Sequence, residues 1–244
     1  MLLMLLELAA QASEEAGGHA SFGPAEFWAA AGREARTVIV ILGSLSLICL
    51  LVWIERLIAF SRARRQSMRV AAEIVGPLQS GDVGGALRIA SDEKYKASYL
   101  AAMLAAGLRE MEAHPNEFGV ENAERAVEKA MGEEVAKLKR GFAWLVTTGS
   151  TAPFVGLFGT TFGVINAFQG MASSGGGGLA GISAGIAEAL YTTAIGIGVA
   201  IFGVWLFNFF NGKIEKVQNE LTSSEADFLD WASKFAHGHQ QAAK

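Results

Sequence analysis

Residues 141–171 read GFAWLVTTGSTAPFVGLFGTTFGVINAFQGM, and no side chain in that stretch carries a charge. About 20 apolar residues in a helix cross the ~30 Å of hydrocarbon in a bilayer. The stretch is therefore read as a membrane span. Lys137, Lys139 and Arg140 stand immediately before it, and basic residues of this kind mark the cytoplasmic end of a span. Pro153 falls inside it. A proline there removes one helical donor and is expected to kink the helix, with neighbouring helices satisfying the freed carbonyl.

Working outward, the segment SSGGGG at 173–178 predicts a short outer loop over 172–178, and a third span follows over 179–211. That span returns to Lys213 and Lys216. Upstream, residues 37–54 read TVIVILGSLSLICLLVWI and open a first span over 37–60. Arg62, Arg64, Arg65 and Arg69 follow it, whereas only Arg33 and Arg36 precede it among several glutamates. This asymmetry places the N-terminus outside and the C-terminus inside. Residues 1–36 then form a periplasmic arm. Its apolar start, Met1 to Ala12, lacks a basic leader and is read as an interfacial helix rather than a cleaved signal.

Residues 61–140 and 212–244 become cytoplasmic, and both are helical by pattern. Ala123, Val127, Ala130, Val135, Leu138 and Phe142 recur at near-helical spacing, as do Ile214, Val217, Leu221, Phe228, Trp231 and Phe235. Ile74 to Ala90 and Tyr95 to Glu112 read as two shorter helices, punctuated by Gly76-Pro77, Gly81-Asp82 and His114-Pro115. Glu121 to Met171 lacks a strong breaker other than Pro153, which predicts one helix running from the cytoplasm into the membrane. The fold class is an all-α membrane protein: three transmembrane helices, with long helices extending into a cytoplasmic helical domain.

Composition narrows the function. The chain has 244 residues, 51% of them hydrophobic, and a net charge of −4, so no basic field points to nucleic acid. The single cysteine, Cys49, sits in an apolar run and reads as a buried or lipid-facing residue. Gly176, Gly178 and Gly181 match G-x-G-x-x-G, but no strand precedes them and no βαβ unit surrounds them, so no dinucleotide site is read there. His237 and His239 read as a solvated tail rather than a metal site. No cofactor and no metal is expected.

Between Gly141 and Gly212 the only charged side chain is Glu188. A charge at mid-bilayer costs about 2.5–3.5 kcal/mol on insertion scales, so such a residue is read as functional. A structural carboxylate would need a cation at membrane depth, and neither later span supplies one. Around it the spans are rich in hydroxyls and small residues, including Thr147, Thr148, Thr160, Thr161, Thr192 and Thr193. Glycines at 159/163 and 181/185 give the small-xxx-small spacing of close helix pairs. Ion passage is the first reading of Glu188, and helix packing alone is the plain reading of most hydroxyls.

Gly149-Ser-Thr-Ala-Pro-Phe-Val-Gly-Leu-Phe-Gly-Thr160, then Phe162-Gly163, Gly185-Ile-Ala-Glu188-Ala-Leu190, Thr193-Ala-Ile-Gly196 and Asn208 closely resemble the ExbB/TolQ branch of the MotA/TolQ/ExbB proton-channel family. The resemblance implies a homopentamer in the bacterial inner membrane, with the second and third spans lining a pore. It implies two copies of a single-span partner of the ExbD/TolR/MotB kind, whose helix aspartate carries the proton. Ion flow would drive rotation and work on the envelope, in TonB-type transport, a Tol-Pal type system or gliding.

Position by position, the resemblance makes Glu188, Thr160 and Thr193 pore-lining. On a helix Thr192 lies about 40° from Glu188 and Thr193 about 140°, so Thr192 is kept as a further candidate. The family often has prolines where this chain has Ala184 and Phe202, which implies a straighter third helix here. A sodium-driven stator and a non-conducting scaffold are the alternatives. An enzyme is not expected, because the spans hold no histidine and no second acid.

Overall fold

The computed structural model describes residue 28, residues 31–173 and residues 179–242. The N-terminal arm before them and the glycine loop at 174–178 lie outside the described residues, and so do the interfacial helix and outer turn read there. The described residues contain six α-helices and no strand. They are α1 (Arg33–Gln79), α2 (Val83–Ala90), α3 (Tyr99–Ala113), α4 (Glu117–Leu138), α5 (Phe142–Ser173) and α6 (Leu179–Ala242), with a 3₁₀ turn at Glu93–Tyr95. Three of them, α1, α5 and α6, are long and apolar enough to cross a membrane.

Two helix boundaries differ from the sequence reading. The expected single helix from 121 to 171 is broken: α4 stops at Leu138 and α5 starts at Phe142. Gly141 causes this with φ of 80°, a left-handed conformation that only glycine adopts without strain. The helix read over 74–90 is also split. Gly76 and Pro77 lie inside α1, and the chain turns at Gly81 with φ of 71°. Asp82 then caps α2 by accepting from the Gly85 amide at 2.8 Å. Ser98 and Asn116 cap α3 and α4 in the same way, at 3.0 Å each.

The chain divides into two compact units. The first takes residues up to Ser44 together with Ala152–Val199. In it α5 and α6 cross with backbones nearly touching. A Cβ added at Gly196 would stand 2.7 Å from the Ala152 carbonyl oxygen and 3.0 Å from Gly156 Cα. Such spacing is open only to residues without a side chain, the usual device where helices must approach in lipid.

The second unit takes Leu45–Thr151 and Ala200–Lys244. Its core is conventional. Met103, Leu108, Met111, Val127, Ile214 and Leu221 are buried, and Phe210 packs on Phe60 and Phe142, each at 5.7 Å between ring centroids. The stripe read on the last helix is the face that packs: Phe228 lies over Gly107 of α3. Trp231 Nε1 donates to the Leu78 carbonyl at 2.8 Å. Arg56, just past the uncharged run of the first span, is buried. It pairs with Glu55 and donates to the Lys137 carbonyl at 3.2 Å, satisfying the C-terminus of α4.

Candidate ion-pathway site

Of the residues singled out around Glu188, Thr160, Thr161, Thr192 and Thr193 fall with it in the first unit, and Thr147 and Thr148 in the second. Glu188 sits in the first third of the apolar part of α6 and is half-buried. Its Oε1 accepts a hydrogen bond from the Gly32 amide at 2.7 Å. That amide lies at the mouth of α1, where an unpaired N–H is available because the first turn of a helix has no internal acceptors. Ala31 and Ala35 are buried beside it, packed with Ile39 and Tyr191 of α6. Among the described residues the partner of the carboxylate is thus a backbone dipole rather than a cation. Nothing in a side-chain pattern announces such a partner, since any residue but proline supplies the same N–H. A carboxylate holds about four acceptor positions, so one amide leaves it capacity for water, a proton or a cation.

The threonines separate into two roles. Thr160 Oγ1 on α5 and Thr193 Oγ1 on α6 stand 3.2 Å apart, both half-buried. Thr160 also donates to the Leu157 carbonyl at 2.7 Å. A hydroxyl has one hydrogen, so Thr193 is the donor of the pair and the chain of hydroxyls runs Thr193 to Thr160 to Leu157. Thr192, adjacent in sequence, is fully buried. Its hydroxyl bonds the Ala189 carbonyl at 2.7 Å and reaches the Gly156 carbonyl at 3.4 Å. It stands in the close crossing of α5 and α6, 2.6 Å from where a Cβ on Gly159 would lie.

Among the described residues no hydrogen bond joins Glu188 to Thr160, Thr192 or Thr193. The structure brings Thr160 and Thr193 together, ties Thr192 to the glycines and ties Glu188 to Gly32. Pro153 lies inside the continuous helix α5. Gly156 and Gly196, which the small-xxx-small spacing did not single out, hold the part of the crossing where backbone meets backbone. Their signal is weak in sequence because the spans are glycine-rich throughout. The histidines of the tail are engaged locally: His237 Nδ1 lies 2.8 Å from the Ser233 carbonyl, and the His239 ring packs 4.6 Å from Phe235.

Residues 96–223 match the model of the MotA/TolQ/ExbB proton channel family, and that is more than half of the chain. The chain belongs to this family. The match takes in α5, Glu188, both threonine pairs and the stripe on α6 up to Leu221. Curated relatives carry the names of the ExbB/TolQ branch. The Tol-Pal system protein TolQ of Pseudomonas aeruginosa is 44% identical over 96 residues, covering 39% of this chain and 42% of the relative. The biopolymer transport protein ExbB of Pseudomonas putida is 33% identical over 199 residues, covering 80% of this chain and 58% of the relative. ExbB of Salmonella typhimurium is 40% identical over 112 residues, covering 46% and 43%. The chain thus spans about half the length of these relatives. Family membership and three apolar helices make it a multi-pass protein of the inner membrane.

Proposed function

We propose that this chain is the pore-forming stator subunit of an inner-membrane motor that couples the proton-motive force to work on the cell envelope. It would assemble as a homopentamer around two copies of a single-span ExbD/TolR/MotB-like protein whose helix carries an aspartate. The N-terminus would be periplasmic and the C-terminus cytoplasmic, as the basic residues after the first span and before the second support. The partition into arm, three spans, loop and cytoplasmic helical regions follows that orientation.

The observation that carries the reading is the lone carboxylate. Glu188 is the only charge between Gly141 and Gly212, held by a backbone amide, on a helix that crosses α5 closely. A carboxylate without a cation partner at membrane depth is suited to exchange a proton or to bias a proton held by a neighbouring group. In this proposal Glu188 and the Thr160–Thr193 pair line the path, and the partner's aspartate is the carrier. Pro153 sets a bend in α5.

The test is Glu188→Gln and Glu188→Ala in cells that depend on the motor. Both are expected to abolish energy transduction while membrane insertion and co-purification with the partner stay at wild-type level. Wild-type transduction by Glu188→Ala would remove the residue from the path. Replacing sodium by potassium at constant proton-motive force leaves a proton-driven stator unaffected and stops a sodium-driven one.

A further inference from the structure

Two cavities lie in the second unit between the same two helices, and their linings are opposite in character. One, of about 600 Å³, is an apolar groove formed by Leu50 and Trp53 of α1 with Phe202, Trp205, Leu206 and Phe209 of α6. The other, of about 530 Å³, starts one turn further along both helices. Leu57 and Phe60 form its apolar edge, and Arg64, Arg65, Lys213 and Lys216 its polar wall. Phe209 and Lys213 join the two, because the Lys213 ammonium sits 4.9 Å above the Phe209 ring. The boundary falls where the apolar runs of α1 and α6 end in sequence, which is where the headgroup layer of a bilayer would lie.

The charge in the second cavity is unbalanced. Four cations line it with one carboxylate, Glu220, and the Tyr99 hydroxyl already donates to that carboxylate at 2.6 Å. Burial, and then that hydrogen bond, push the Tyr99 phenol up, so it stays a neutral donor. Among the described residues none of Arg64, Arg65, Lys213 and Lys216 is in an ion pair. Elsewhere in this unit basic side chains find acids readily, as Arg125 does with Glu121 and Lys234 with Asp230. Unpaired cations gathered in a concave site at a membrane boundary suit a phosphate.

We propose that the two cavities together hold one anionic glycerophospholipid, with an acyl chain in the groove of Trp53 and Trp205 and its phosphate headgroup against Arg64, Arg65, Lys213 and Lys216. The apolar groove alone would accept any lipid. The cationic wall selects negative charge, and the Lys213–Phe209 contact fixes where chain ends and headgroup begins.

The test uses the purified full chain in detergent, titrated with phosphatidylglycerol or with phosphatidylcholine of the same acyl chains, with bound lipid counted by native mass spectrometry. Wild type is expected to retain phosphatidylglycerol roughly tenfold more tightly than phosphatidylcholine. Arg64→Gln with Lys216→Gln is expected to erase that preference, and Arg64→Lys with Lys216→Arg to keep it. All these positions are exposed or lie at the cavity wall, so the variants retain the core. Equal retention of the two lipids overturns the proposal, and so does an unchanged preference in the charge-removing variant. Inorganic pyrophosphate separates a free phosphate from a lipid. If it binds lipid-free protein through the same cations and no lipid preference exists, the lipid is wrong. Capture of a second copy of the chain by a photoreactive residue at Trp205 also overturns it. Lipid retention and energy transduction are separate readouts, so failure here leaves the motor reading untouched, and failure of the Glu188 test leaves this one untouched.

Discussion

The crossing of α5 and α6 over residues 152–199 and the packing of α3, α4 and the distal part of α6 are both helix on helix, yet they are held by opposite means. In the first, contact is backbone to backbone through Gly156 and Gly196, and large side chains such as Phe154, Phe158 and Leu190 point away from the crossing and are exposed. In the second, Met103, Leu108, Val127, Leu221 and Phe228 are buried against one another, and capping side chains close the helix starts. Lipid is as apolar as leucine, so burying leucine gains little in a bilayer and close approach of small residues does the holding. In water the gain from burying apolar area dominates. The two regions should therefore fail by different routes.

Truncation should matter most in the side-chain core. Phe228 is 3% exposed, and its ring lies over Gly107, where an added Cβ would come within 2.4 Å of it. Phe228→Ala is expected to cost about 3–5 kcal/mol through lost burial and a cavity. Thermal unfolding of the full chain in detergent, followed by circular dichroism, should show a lower midpoint. A midpoint within error of wild type would mean that this contact does not anchor α6.

Enlargement, rather than truncation, should break the backbone crossing. Gly196→Ala places a methyl 2.7 Å from a carbonyl oxygen that cannot swing aside, and an overpacked contact costs about 1–3 kcal/mol. Gly198 is the internal control: a Cβ there meets nothing within 4 Å. Gly198→Ala is expected to be neutral or slightly stabilising, since alanine favours the helix. Equal loss of oligomer yield in both variants would show that the contrast between the two regions is wrong.

The same contrast explains what the sequence made legible. Apolar runs and their basic flanks located three long helices, and the period of Ile214, Val217, Leu221 and Phe228 located the buried face of α6, because side-chain burial leaves a pattern. Backbone-mediated features leave none. The amide of Gly32 on Glu188, the turn at Gly141 and the choice of Gly156 and Gly196 among many glycines depend on main-chain geometry. Helical angles alone put Thr192 and Thr193 about 100° apart around α6. They could not say that Thr193 meets Thr160 while Thr192 is buried against Gly156, because that depends on how α5 crosses.

Those neighbouring threonines give the next comparison. Thr193→Val breaks the hydroxyl chain to Thr160 while Thr160 keeps its bond to Leu157. Loss of one hydrogen bond of about 1 kcal/mol from the path would lower energy transduction roughly fivefold with assembly unchanged. Thr192→Val keeps the shape of a buried residue bonded to its own helix, so transduction is expected to stay near wild type. The reverse order of effects, measured in the same transport assay, would move the path from the Thr160–Thr193 pair to Thr192.

The smallest effect expected lies in the side-chain region, where charge rather than packing is out of balance. Burial holds the Glu225 carboxyl above its ordinary value of 4.5, and the neighbouring Glu128 and Glu124 add to the shift. A carboxyl whose folded pKa is raised opposes folding while it is ionised. That cost is fully present above the folded pKa and fades as pH falls through it toward the unfolded value near 4.5. Glu225→Gln removes the charge, so it should stabilise the full chain at pH 7 by about 0.5 kcal/mol or less after solvent screening. The gain should shrink as the pH is lowered through that window, because wild type then becomes neutral at the same site. A gain that persists unchanged at pH 4 would assign it to helix propensity at position 225 and remove the three glutamates as a source of strain between α4 and α6.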